Sequence, residues 1–285
     1  MKIETVGVIG AGVMGSDLAL DLSRHEYHVI LKDLTAELLE KARERIEKNY
    51  KFFKIFAKDF SPLPGDDLLA RITFVTDYKG FEEAELMIEN VTENYEIKKQ
   101  VFTELKKVCQ EDAIYGTNTS CISITKLGSL VPKPENVIGM HFLNPVPLKK
   151  LVELVRGFHT SEETLEKTKS FLATIGKNWV VVNDYPGFVT NRVLMLTINE
   201  CVGLVMDGVA EPKVIDKIFT QGFGHKMGPL ATADLIGLDT ILNSLVVLYE
   251  SYNDPKYRPC PLLQKMVDAG YLGRKTGKGF FEYKM

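Results

Sequence analysis

His141 and Glu153 lie twelve residues apart in Gly139-Met140-His141-Phe142-Leu143-Asn144-Pro145-Val146-Pro147-Leu148-Lys149-Lys150-Leu151-Val152-Glu153. An imidazole exchanges protons around neutrality, with an ordinary pKa of ~6.5, and a carboxylate beside it can fix its tautomer and stabilise the imidazolium. Pro145 and Pro147 break any helical reading, and the Asn-Pro pair marks a rigid turn. Leu151, Val152 and Leu154 then read as a short buried strand, so the chain leaves and returns near one point. A lone histidine is more often a hydrogen-bonded structural residue than a base. His141 therefore becomes a candidate base only if the rest of the chain supplies something for it to act with.

The amino-terminal stretch supplies a cofactor. A short apolar strand, Thr5 to Ile9, runs straight into Gly10-Ala11-Gly12-Val13-Met14-Gly15, and Leu18, Leu20 and Leu22 begin a helical pattern. Gly10 makes the tight turn, Gly12 lets the backbone approach a pyrophosphate, Gly15 permits close helix packing, and the helix N-terminus stabilises the phosphate charge. Asp33 follows Gly15 by eighteen positions at the end of a second strand, Val29-Ile30-Leu31. There it would accept hydrogen bonds from the adenosine ribose hydroxyls and repel a 2′-phosphate. Lys32 adjoins it but no Arg follows, so NAD is expected rather than NADP. The competing reading of Asp33 is an N-cap for the helix that starts near Ala36.

These residues need a sheet to hold them. Ala36 to about Phe56 reads as a long amphipathic helix whose outer face carries Lys48, Lys51, Lys54 and Lys58. That face is either solvated or a contact for phosphates or an acidic carrier. A turn is expected over Ser61 to Asp67, then a strand at Ile72 to Val75. Leu86 to Val91 reads as a buried strand, with Glu93 and Lys98 near its carboxyl end, followed by a helical stripe through Ile97, Val101, Leu105 and Val108. Ala113 to Gly116 is a strand running into a polar loop where Asn118 and Ser120 are caps or cofactor contacts. A helix from about Ser161 to Ile175 and a strand from Trp179 to Val182 complete the alternation. It predicts an α/β fold with a Rossmann-like, doubly wound, mostly parallel sheet, whose cofactor crevice lies at the carboxyl edge.

At Asn183-Asp184-Tyr185-Pro186-Gly187 the pattern changes, dividing residues 1–184 from an all-α dimerisation domain, 185–285. Helices are expected over Thr190 to Met206, Pro212 to Phe219 and Leu235 to Tyr252, the last apolar almost throughout, which suggests a homodimer interface. The basic, glycine-rich end, Gly273 to Phe281, lacks the strand and helix of a phosphate loop and reads as a structural turn. A length of 285 residues with 45 % hydrophobic content allows a large core, and a net charge of −3 without a basic block argues against nucleic-acid binding. The four cysteines show no metal or disulfide spacing, and no metal is expected. With no signal peptide or membrane-length apolar run, a cytoplasmic protein is expected.

Several stretches together resemble the L-3-hydroxyacyl-CoA dehydrogenase family, particularly its short-chain 3-hydroxybutyryl-CoA members, nearly end to end. They are Val8 to Gly15, Asn118-Thr119-Ser120, Gly139 to Phe142 with Asn144 to Pro147, Leu151-Val152-Glu153, Pro186-Gly187-Phe188 with Asn191-Arg192, Met227-Gly228-Pro229, and Leu272 to Gly277. The resemblance implies a homodimer with an NAD domain, a helical domain and an active site in the cleft between them. It implies hydride transfer between NAD and carbon 3 of a 3-hydroxyacyl thioester. It also places the catalytic His, Glu, Ser and Asn on His141, Glu153, Ser120 and Asn191, and cofactor contacts on Asp33, Glu93, Lys98 and Asn118. Lys58 to Pro64 departs from a short lysine- and glycine-containing turn near the family's CoA region, leaving CoA or an acyl carrier protein as the acyl carrier. Lys149 stands where relatives often have an apolar residue.

Overall fold

The computed structural model describes residues 3–56 and 65–284. The chain forms two compact units, Met1–Asp184 and Tyr185–Met285. In the first, β1 (Thr5–Ile9), β2 (His28–Lys32), β3 (Ile72–Val75), β4 (Leu86–Glu89), β5 (Ile114–Thr117), β6 (Val137–Phe142), β7 (Leu151–Arg156) and β8 (Asn178–Asn183) build one sheet. Its strand order is β3-β2-β1-β4-β5-β6-β7-β8. Six of the pairings are parallel, as the alternation predicted, and β6 with β7 is antiparallel. The order reverses between β1 and β4, the place where such sheets open a ligand crevice at their carboxyl ends.

The helices of this unit are α1 (Val13–Arg24), α2 (Ala36–Phe56), α3 (Gly65–Ala70), α4 (Tyr95–Val108), α5 (Ile124–Gly128) and α6 (Glu162–Thr174). β1 is a near-continuous apolar run, and so is β4 as far as Glu89, as expected of parallel strands covered by helices. α1 packs against β1 and β2 and is in turn covered by α2, so that Leu18, Leu20 and Leu22 are fully buried. Each such side chain contributes about 1.5–3 kcal/mol relative to exposure. On the opposite side of α2, Lys48, Lys51 and Lys54 are exposed. Lys58 and the whole Lys58 to Pro64 departure lie outside the described residues. So does most of the turn expected over Ser61 to Asp67, and its last part is instead the start of α3. The short α5 was not anticipated.

The second unit holds α7 (Thr190–Met206), α8 (Pro212–Lys217), α9 (Pro229–Ile236), α10 (Leu238–Tyr252) and α11 (Pro261–Asp268). A single π-helical turn, Ile218–Gly222, extends α8. The continuous helix expected over Leu235 to Tyr252 is corrected here: Gly237 adopts φ +106° and the axes of α9 and α10 meet at 97°. The glycine-rich carboxyl segment is a structural turn folded onto Asp234, whose carboxylate accepts the N–H groups of Phe280 and Phe281 and the Tyr283 hydroxyl. Among the described residues no single helix is long and apolar enough to cross a membrane.

Candidate active site

The antiparallel pairing of β6 with β7 sets His141 directly opposite Glu153. Residues opposite one another in such a pair project to the same face, so strand register alone brings the two side chains together. His141 Nδ1 lies 2.7 Å from Glu153 Oε2, with His141 6 % exposed and Glu153 2 %. A carboxylate accepts only, so Nδ1 carries the proton and Nε2 of the neutral ring is left as the acceptor. Ser120 Oγ stands 3.2 Å from that Nε2. The connection between the strands is the turn foreseen at Asn144-Pro145, a cis peptide, with Pro145 O accepting from Leu148 N and Lys149 N.

Glu93 holds the Ser120 loop. Its Oε1 accepts from Thr119 Oγ1 at 2.6 Å, Ser120 N at 2.9 Å and Cys121 N at 2.7 Å. Asn118, just ahead of it, accepts from Phe142 N through Oδ1 and donates to Asn90 through Nδ2, tying β6 beside His141 to the end of β4. Lys98 is fully buried and donates to both oxygens of Glu89 at 2.7 and 2.9 Å, with Glu93 Oε2 3.8 Å away. Glu89 also accepts from Thr117 Oγ1 and Val91 N. Sequence reasoning passed over Glu89 inside the apolar Leu86 to Val91 run. The available signal was the carboxylate itself, since a charge in a buried strand requires a partner.

The nucleotide crevice is a cavity of about 530 Å³ at the carboxyl ends of β1, β2 and β4, lined by Gly12, Asp33, Leu34, Tyr78 and Val101 among others. Gly10 sits at φ +91°, and a Cβ on Gly15 would fall 1.8 Å from Gly10 O. A Cβ on Gly12, by contrast, would meet nothing within 4 Å. That open space lies at the N-terminus of α1, which no side chain caps, so its N–H groups face a cradle suited to a pyrophosphate. Asp33 Oδ2 accepts from Ala11 N at 2.7 Å and Oδ1 from Leu34 N, and Thr35 Oγ1, not Asp33, caps α2. The Lys32 ammonium lies 4.8 Å over the Tyr78 ring, whose hydroxyl burial pushes up to about 12. Among the described residues no three His, Cys, Asp or Glu side chains converge as a metal site.

His141, Glu153, Ser120, Glu93 and Asn118 thus meet within the first unit. Asn191 stands in the first turn of α7 in the second unit, half-buried. Residues 5–185 match the family described as 3-hydroxyacyl-CoA dehydrogenase, NAD binding domain, and residues 187–283 match its C-terminal domain. A probable 3-hydroxybutyryl-CoA dehydrogenase of Deinococcus radiodurans is 44 % identical over 277 residues, 97 % of this chain and 99 % of that one. A 3-hydroxybutyryl-CoA dehydrogenase of Bradyrhizobium diazoefficiens is 42 % identical, covering 99 % of this chain and 96 % of its own. The crystal structure of (S)-3-hydroxybutyryl-CoA dehydrogenase from Ralstonia eutropha superposes with a TM-score of 0.90 at 39 % identity over the whole of both chains. With a glycine cradle for NAD at one end of its sheet edge and a buried His–Glu pair further along it, this chain belongs to the 3-hydroxyacyl-CoA dehydrogenase family.

Proposed function

We propose that the protein transfers a hydride between NAD and carbon 3 of a short-chain 3-hydroxyacyl-CoA, with His141 as the base that takes the hydroxyl proton. The observation carrying this reading is the buried His141–Glu153 pair, 2.7 Å apart, with Nε2 directed at Ser120 on the carboxyl edge that also holds the nucleotide crevice. NAD would be held by the Gly10–Gly15 turn and Asp33 along that crevice, and when bound would supply the hydride acceptor or donor. His141 Nε2 takes the proton as the hydroxyl becomes a ketone, and Glu153 stabilises the imidazolium that results. Ser120 and Asn191 hydrogen-bond the reacting oxygen or the thioester carbonyl. A donor of this kind contributes on the order of 2–4 kcal/mol when aligned with developing charge. Asp33 recognises the adenosine ribose and sets the preference for NAD, and Glu93, Lys98 and Asn118 shape the nicotinamide end.

The named relatives act on four-carbon CoA thioesters, which favours CoA over a carrier protein and a short acyl chain. The exposed Lys48, Lys51 and Lys54 on α2 suit the phosphates of either carrier. Chemistry on NAD and an acyl thioester favours a place in fatty acid metabolism. The test is NADH oxidation with acetoacetyl-CoA, longer 3-oxoacyl-CoAs and the acetoacetyl carrier-protein thioester. The reading expects the highest kcat/KM on acetoacetyl-CoA. A preference for the carrier-protein thioester would reassign the substrate, and inactivity on every thioester would remove the function.

A further inference from the structure

The Ser120 loop is clamped from two directions, and one clamp comes from the far end of the first unit. Asp184, its last residue, reaches the N-terminal turn of α5: Oδ2 accepts from Ser123 Oγ at 2.8 Å and Thr125 N at 2.7 Å, and Oδ1 accepts from Ile124 N at 3.1 Å. Ser123 already caps this helix locally through Lys126 N, so the remote carboxylate is a tertiary tether added to an ordinary cap. The tether is itself fixed, because Asp184 N donates to Arg156 O at the end of β7, the strand that carries Glu153. Thr125 Oγ1 accepts from Phe158 N just beyond the same strand.

We propose that Asp184 is a positioning residue of the reaction: it locks the Ser120–Ser123 segment to β7 and so sets the Ser120 hydroxyl against His141 Nε2. Glu93 holds the front of the segment and Asp184 its rear. The distance they set, 3.2 Å, lies near the outer limit of a hydrogen bond, so a displacement of a few tenths of an ångström breaks it. Misplacing a reacting group by 1 Å costs on the order of 100-fold in rate. The proposal rests on the reading of Ser120 and His141 as active-site residues.

In Asp184→Asn the amide oxygen can serve only one side, and the amino group opposes at least one N–H or O–H donor. The experiment is a double-mutant cycle on the full-length enzyme, with steady-state kinetics of Asp184→Asn, Ser120→Ala and their combination. Asp184→Asn is expected to lower kcat about 10-fold with KM for NADH and thioester within about 2-fold, and to add less than about 2-fold once Ser120→Ala is present. An equal loss in both backgrounds marks a merely structural role and overturns the proposal. So does an unaltered kcat in Asp184→Asn while Ser120→Ala is impaired, an outcome that leaves the active-site reading standing. If Ser120→Ala itself has no effect on kcat, the proposal falls together with its premise. Should Asp184→Asn not fold, Ser123→Ala removes one of the three bonds together with the local cap to Lys126 N. It is expected to lower kcat about 3-fold alone and not at all beside Ser120→Ala, and equal losses overturn the proposal.

Discussion

At His141 the requirements of a base and of a buried side chain meet in one residue. Nδ1 is committed to Glu153, which removes any choice of tautomer and leaves Nε2 to exchange the proton. Glutamine in its place keeps a polar group of similar reach but cannot take a proton at neutral pH. His141→Gln is therefore expected to lower kcat by at least about 100-fold, the usual scale for loss of a general base. The dissociation constant for NADH should stay within about 3-fold, because the crevice is built from β1, β2 and β4 rather than β6. Near wild-type turnover would exclude His141 as the base. The pair was legible in the sequence because Asn144-Pro145 and Pro147 announce a turn between two apolar runs. Asp184 was not legible, since its partners, residues 123–125, become neighbours only in the folded sheet, whereas Glu89 was legible as a charge inside an apolar run and was passed over.

At the scale of elements, two glycines of the β1–α1 turn do different work. A Cβ on Gly15 would overlap the Gly10 carbonyl, against which α1 is drawn, whereas a Cβ on Gly12 would enter open space in the cradle. Gly15→Ala should destabilise the apoprotein by about 3 kcal/mol, the upper range for overpacking, seen as a lowered Tm. Gly12→Ala should leave the apo Tm unchanged and weaken NADH binding at least about 10-fold, measured by titration. A fall in Tm for Gly12→Ala with unaltered NADH affinity would contradict this division. Elements with a strong period or a continuous apolar run were readable from sequence, α2 and β1 among them. The break between α9 and α10 was hidden, because Gly237 sits in an unbroken apolar pattern and only its φ of +106° interrupts the helix. The return of β6 onto β7 was announced by Asn144-Pro145 and Pro147, and the register of the antiparallel pairing is what places Glu153 opposite His141.

For the whole molecule, the helical unit leaves apolar side chains exposed on helices that bury others. Val214 and Ile218 on one turn of α8 and its extension, Leu235 on α9, and Val246 and Tyr249 on α10 remain exposed although the same helices bury Ile215, Leu230, Ile241 and Leu245. Helices apolar on more than one side are expected to cover the second side with another subunit. A stable interface needs roughly 800 Å² from each partner. We infer a homodimer formed through residues 185–285, with α10 at its centre. Sedimentation equilibrium at micromolar concentration should give twice the 32.0 kDa chain mass. Val246→Glu combined with Tyr249→Glu places two charges on that face, and unpaired buried charge costs several kcal/mol, enough to return the protein to monomers. NADH affinity should persist in those monomers, because the crevice lies wholly in the first unit. A wild-type monomer would dispose of the dimer, and a double variant that remains dimeric would move the interface away from α10.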